Sequence, residues 1–469
     1  MTHDIRYVVL SDMHLGQDQS VLTGLDGVSV DPSKQAPMLG LLGDAVTQLV
    51  AANQGDTRPT LILLGDILEL AFADLHQSSM VFEQFVRSWL RDGQSIFGEV
   101  VYIPGNHDHH LWEMGRGSYF QQQVASAKEG QSLPPMPHTS DLTGGLPGAE
   151  RLIQTLIRRG LGDAADGVAV QMNYPSYVLH NGERLVLCNH GHYFESLYYL
   201  MTRLQRMIFP DTPKPTTIEQ IERENFGWVD FFWSMLGHQG KVGEDVERVY
   251  DILPYPDKLE HLVKNVVDNL IADWSAHGLE KWLVRKGLEK LVEHYFHKMA
   301  EGDRKSPSTA FSEAARKTMQ EYVGGPLSKQ LHEELGRSFD DMTLIFGHTH
   351  KPFEAVWDID GLGKGVKVYN TGGWAVDPAR TVQPLHGGAA VLLNSELDAA
   401  SIHFFTEHER AEDYRVAVHQ AGPAGGFAEY ITSLVDADAS PYRDISREAA
   451  GAVKRRFDVL ASEVASVDE

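Results

Sequence analysis

The sequence predicts an α/β protein with a large helical insertion, and three observations carry that reading. Five short runs of aliphatic, β-branched or aromatic residues each stop at Asp, Asn or His side chains. These runs alternate with segments of helical spacing, and residues 194–340 show almost no β pattern at all. Continuous apolar runs of this length read as strands buried on both faces. In open α/β sheets, ligands gather at the carboxyl ends of such strands, so the five run ends together predict a metal cluster.

In chain order, Tyr7-Val8-Val9-Leu10 is the first run and leads to Asp12 and His14. A loop rich in Gly, Asp, Ser and Pro over 16–37 is followed by helical spacing over 38–52. The second run, Leu61-Ile62-Leu63-Leu64, leads to Asp66; the helix expected around 80–90 sets Phe82, Phe85, Val86 and Trp89 on one face. The third, Val100-Val101-Tyr102-Ile103, leads to Asn106, His107 and Asp108. Strand–helix–strand alternation of this kind is α/β layering.

A composition shift to Pro, Gly, Ser and Thr over 131–148 predicts a long loop, then a short helix over about 149–159. Asn181-Gly182 between two apolar runs predicts a hairpin of 177–180 with 184–188. Its second arm is the fourth run and delivers Asn189, His190 and His192. Within 194–340 the apolar residues recur at three- and four-residue steps. Leu259, Leu262, Val263, Val266, Leu270, Ile271 and Trp274 form one stripe; Trp282, Leu283, Leu291, Val292, Tyr295, Phe296 and Met299 form another.

The fifth run, Leu344-Ile345-Phe346, opens onto Gly347-His348-Thr349-His350. Residues i and i+2 of an extended segment point the same way, which would aim both imidazoles at one site. Short strands over 366–369, 389–393 and 401–405 follow, and one or two helices after Gly422, the second near 446–464 and lying outside or against a partner. The division expected is a core of 1–193 and 341–410, a helical cap of 194–340 over the site, and a helical tail of 411–469.

Composition narrows the classes of function. The 469 residues suffice for one large core or two domains. A net charge of -24 opposes broad attraction to nucleic acid or anionic membrane. The single cysteine, Cys188, excludes an internal disulfide and sits inside an apolar run, as a small core residue would. No basic-then-apolar leader opens the chain, and no run approaches the 18 apolar residues a membrane span needs, so a cytoplasmic location is expected.

Carboxylate, imidazole and amide donors without thiolate suit Mn, Fe, Co, Ni or Zn and argue against a closed structural zinc site. The supply of Asp12, His14, Asp66, Asn106, His190, His348 and His350 exceeds one ion and suits two divalent ions. Asp12-Met13-His14, Gly65-Asp66, Gly105-Asn106-His107-Asp108, His190 and Gly347-His348-Thr349-His350, in that order, resemble the motif set of the calcineurin-like metallophosphoesterase superfamily. Asn370-Thr371-Gly372-Gly373-Trp374 resembles a segment that follows the last motif in many members. The resemblance covers 5–193 and 341–405 and leaves out the insertion and the tail.

It implies a layered β-sandwich flanked by helices, and roles by position. One ion would take Asp12, His14 and His350, the other Asn106, His190 and His348, with Asp66 between them. Manganese is the favoured metal. A hydroxide between the ions would attack phosphorus in line, with His107 serving the leaving oxygen and Asp108 orienting His107. His192 is expected behind the ligands; it stands where UDP-2,3-diacylglucosamine pyrophosphohydrolase-like members, the nearer resemblance, usually carry Asp. His109 and His110 read as solvated, Asn189 and Asp341 as turn or cap residues, and Lys454-Arg455-Arg456 as a solvated helix face.

The substrate implied is a small phosphodiester, pyrophosphate or phosphomonoester, with a lipid-linked one admitted by the apolar residues after Phe194 and around Phe226–Trp233. Helical packing against the core explains such residues more often than a lipid groove does. Two rivals share the fold: a DNA nuclease of the repair type, which the net charge opposes, and a scaffold without turnover, which the complete ligand set opposes. A homo-oligomer is compatible with either.

Overall fold

A computed structural model describes residues 3–235, 310–376, 382–423 and 425–466. The apolar stripes expected from Leu259 to Trp274 and from Trp282 to Met299 lie outside the described residues.

Twelve strands build two main sheets. In chain order they are β1 Tyr7–Leu10, β2 Thr60–Leu64, β3 Glu99–Ile103, β4 Ala169–Met172, β5 Ser176–Asn181 and β6 Arg184–Asn189. Then come β7 Asp341–Phe346, β8 Phe353–Ile359, β9 Gly363–Asn370, β10 Gly387–Leu393, β11 Ala399–Thr406 and β12 Ala417–His419. The first sheet runs β12-β11-β10-β1-β2-β3-β4 and the second β8-β9-β7-β6-β5. Strands β1 to β4 are parallel neighbours, as are β6, β7 and β9, while the outer pairings are antiparallel. Parallel neighbours place their carboxyl ends at one edge, which is why the run ends meet. The hairpin β5–β6 turns at Gly182, whose φ of 57° suits a residue without Cβ.

Side-chain alternation sorts each central strand between two cores. Val9, Ile62, Leu64, Val101 and Ile103 of the first sheet cluster with Val186, Cys188, Ile345 and Tyr369 of the second. Their neighbours Val8, Leu10, Leu61, Leu63, Val100 and Tyr102 face outward into another cluster. That cluster is closed by helices α1 Pro37–Val50, α2 Leu75–Arg87 and, beyond α3 His109–Ser126, by α4 Arg151–Leu161. On the far side Leu185, Leu187, Leu344 and Phe346 pack against helices of the 194–340 segment. The layers are therefore helix, sheet, sheet, helix.

Four α-helices of that segment are described: α5 Leu200–Ile208, α6 Ile218–Ser234, α7 Glu313–Tyr322 and α8 Ser328–Leu335. Ile221, Val229, Met319, Tyr322 and Leu331 bury their apolar side against the second sheet. The tail forms α9 Gly426–Leu434 and α10 Tyr442–Ser466. Here the structure differs from expectation: Tyr442, Ile445 and Ala449 are buried in the first sheet's outer core, so α10 is part of the molecule's own packing. Arg456 is likewise not solvated; its guanidinium donates to the carbonyls of Ser20 and Thr23 at 2.5 to 3.0 Å. Cys188 is buried as expected, and burial pushes its thiol up to about 12. No described helix is long and apolar enough to cross a membrane.

Candidate metal centre

The carboxyl ends of β1, β2, β3, β6 and β7 deliver their polar residues into one buried pit. Asp12, His14 and His350 offer ligand atoms within 4.8 Å of one another, and so do Asp66, His190 and His348. His14 Nε2 and His350 Nε2 are 3.0 Å apart, and His350 Nε2 lies 3.5 Å from Asp12 Oδ1. His190 Nε2 lies 3.1 Å from Asp66 Oδ2 and 3.2 Å from Asn106 Oδ1. Two ligands bound about 2.1 Å from a common cation sit about 3.0 Å apart at a right angle and about 3.4 Å at the tetrahedral angle. Three of the four spacings fall in that range and the fourth, 3.5 Å, lies just beyond it; the chemistry of the set, oxygen and imidazole nitrogen, fits a divalent transition ion.

Five of the seven donors sit on strained backbone. Asp12, His14, Asp66, His348 and His350 have φ of 48°, 46°, 53°, 69° and 59°. Non-glycine residues rarely adopt such angles, and among the described residues only Asp92 and Leu397 share them. The extended geometry expected across His348 and His350 is therefore replaced by two left-handed residues, because β7 ends at Phe346. The two imidazoles serve opposite halves of the pit. His348 N–H donates to both oxygens of Asp12, at 2.9 and 3.0 Å, which ties the two sheets together at this edge.

Glycines make room for the donors. A Cβ on Gly65 would collide with the His190 ring, one on Gly105 with the Asp66 carboxylate, one on Gly347 with Asp12, and one on Gly373 with the His350 ring. The Gly65-Asp66, Gly105-Asn106 and Gly347-His348 pairs are thus steric requirements.

A residue the sequence reading missed organises the site. Glu69 is buried; Oε2 lies 2.6 Å from His14 Nδ1, and both oxygens lie 3.0 Å from His107 Nδ1. It also accepts from the amides of Ala71 and Phe72, at 2.8 and 3.0 Å. Acceptors on Nδ1 fix the tautomer and leave Nε2 for a ligand or substrate. The carbonyl of Leu64 does the same for His190, 2.9 Å from its Nδ1. Glu69 follows Asp66 by three residues in the same loop, and that proximity was the one available signal. Glu195, at the start of the 194–340 segment, was missed too; its Oε1 is 3.6 Å from His348 Nε2.

Asp108 does not orient His107. Its carboxylate turns inward and accepts from the amides of Asp66, Ile67 and Gly105 and from Tyr102 Oη, at 3.2, 2.9, 2.6 and 2.5 Å. It holds the loop that carries Asp66, and Glu69 holds His107. His109 is buried with Nδ1 3.1 Å from Asp230 Oδ1, and His110 Nδ1 is 3.2 Å from Oδ2 of the same carboxylate. Neither is solvated as expected, because α6 docks on this loop; Ser234 Oγ accepts from His110 N–H at 2.8 Å and donates to the His107 carbonyl at 3.1 Å. His192 lies behind His190, ring centroids 5.7 Å apart, with Nε2 3.3 Å from Tyr174 Oη. Burial, aided by His190 and His348, holds it well below the usual imidazole range, so it stays neutral. Asn189 caps backbone as expected, donating to Pro175 O at 3.1 Å, whereas Asp341 pairs with Lys367 at 3.0 Å.

Burial and close opposite charges set the electrostatics of the pit, and burial raises the Asp12 carboxyl. Burial alone would raise the Asp66 carboxyl, but His190 and His107 hold it well below the carboxylate range. Glu69 is likewise brought down to about 2, since His107 and His14 outweigh its burial. Burial would lower His190, yet Asp66 and Asp12 lift it to about 9. A divalent cation bound to His190 would have to displace that proton. No family model matches this chain, and no curated protein matches it significantly in sequence.

Proposed function

We propose that the protein is a metal-dependent phosphoric ester hydrolase of the calcineurin-like metallophosphoesterase type. The observation that carries the reading is the convergence of seven oxygen and nitrogen donors, from both sheets, at the spacing ligands of shared cations have. Asp12, His14 and His350 would hold one divalent ion and Asn106, His190 and His348 a second, with Asp66 between them. Manganese is favoured, with Fe, Zn, Co and Ni as alternatives. When bound, such a pair supplies Lewis-acid stabilisation of charge on a phosphoryl oxygen.

The chain's own residues do the rest. His107, with Nδ1 fixed by Glu69, offers Nε2 as the proton donor to the leaving oxygen. Asp108 keeps the Asp66 backbone in place from beneath. The described residues 194–235 act as a cap that sets specificity, since Glu195, Tyr198, Asp230 and Ser234 all reach the site or its loop. The substrate class is a phosphodiester, pyrophosphate or phosphomonoester. The test is hydrolysis of bis(p-nitrophenyl) phosphate by the purified, manganese-loaded protein, alongside single- and double-stranded DNA. Turnover of the small ester that disappears in Asp66→Asn, with the circular dichroism unchanged, supports the reading. Cleavage of DNA alone would favour a nuclease, and inertness toward both sinks the hydrolase.

A further inference from the structure

Away from the metal centre, the described helices of the 194–340 segment enclose a cleft of about 310 Å³. Its walls come from α5, the loop to α6, and α7, and they carry Arg203, Arg206 and Lys214. One carboxylate, Glu321, shares the lining, and its Oε1 lies 3.9 Å from Lys317 on the same helix. Arg203 and Lys214 make no ion pair among the described residues, and Arg206 makes one long bond, 3.4 Å to the Pro213 carbonyl. Arg206 Nε is sealed from solvent and finds no acceptor among the described residues.

In a chain with 65 acidic and 41 basic residues, a carboxylate is normally available to any cation. Three cations lining one concavity, with a single carboxylate among them, is the arrangement that recognises an oxyanion. Guanidinium donors match phosphate geometry, and a lysine ammonium adds a point charge. A concave, low-dielectric wall focuses that field. Tyr199, whose phenol burial keeps protonated, adds a neutral donor to the lining.

We infer that this cleft, between α5, α6 and α7, binds a phosphate group, borne either on a soluble metabolite or on a lipid headgroup. The inference does not depend on the hydrolase reading, because none of the cleft residues belongs to the metal centre. The two sites are joined through adjacent residues: Tyr199 lines the cleft, and Tyr198 beside it packs edge-on against His348 with ring centroids 5.5 Å apart.

The experiment keeps the two sites separate by working in EDTA, on full-length protein. Inorganic phosphate is titrated by calorimetry, and vesicles of phosphatidylglycerol are compared with phosphatidylcholine by co-sedimentation. Arg203 and Lys214 are exposed, so Arg203→Ala and Lys214→Ala leave the fold intact, which thermal unfolding checks. The expected result is binding in at least one arm that weakens by about tenfold in either variant and is unchanged in Asp66→Asn. Saturable phosphate binding identifies a soluble ligand, and binding confined to the anionic vesicles identifies a headgroup. Absence of binding in both arms, or binding equal in wild type and in both variants, overturns the site.

Discussion

Replacing Glu69 by Gln alters one atom in the buried network behind the site, and the consequence can be worked out bond by bond. The amides of Ala71 and Phe72 both donate to Oε1, so the single carbonyl of glutamine is drawn to that position. The new amide NH₂ then faces His14 Nδ1, where the carboxylate now accepts at 2.6 Å. Donor would meet donor. His14 escapes by moving its proton to Nε2, the atom that faces His350 at 3.0 Å, and an Nε2 that carries hydrogen cannot ligate. Loss of such a supporting contact costs metal affinity about 10–100-fold, or about 1.4–2.7 kcal/mol. Calorimetric titration of manganese into Glu69→Gln measures the affinity, and long-range proton–nitrogen spectra of the histidines report the tautomer. An affinity within twofold of wild type, with His14 still protonated at Nδ1, would refute the reasoning.

Three further outcomes are expected. Gly65→Ala, at a φ of 82° with the His190 ring in the way, should destabilise the fold by about 2 kcal/mol or more in urea unfolding and lower metal affinity with it. Burial raises the Glu222 carboxyl from 4.5 to about 8, against hydrogen bonds from Tyr174 and Tyr193. The folded state therefore keeps a proton that the unfolded chain has released, and stability falls as the pH rises from 4.5 to about 8. Glu222→Gln should flatten that slope, a change of a few kcal/mol across the interval, read from denaturant midpoints; an unchanged slope would reject the shift. Finally, manganese at 100 times its dissociation constant should stabilise the protein by about 2.7 kcal/mol, and excess EDTA should reverse the gain in midpoint temperature.

Much of the fold was legible because a strand buried on both faces tolerates only apolar residues, so β2 and β7 announce themselves as Leu61–Leu64 and Leu344–Phe346. The donors were legible because each follows such a run within a few residues. Partnerships spanning long separations were not. Nothing near His109 indicates that Asp230, 121 residues away, will bury it, and nothing near Arg456 points to the Ser20 carbonyl, 436 residues away. Glu69 sat within reach of notice, but its role depends on two histidines converging from different turns. Asp108 was misread because its neighbour in sequence is not its neighbour in space; the chain turns into α3 and carries the carboxylate beneath the loop.

Each half of the pit draws donors from both sheets: Asp12 and His14 with His350 in one, Asp66 with His190 and His348 in the other. A cation gripped from both sides would act as a rivet through the seam between the layers. Shear of one sheet over the other would then have to break coordinate bonds as well as strip the apolar interface. Repacking that seam, for example at Cys188 or Ile345, should consequently be felt as weakened ion binding, although neither side chain offers a ligand. The two halves of the sandwich would melt together with ions bound, and could part company once they are stripped away.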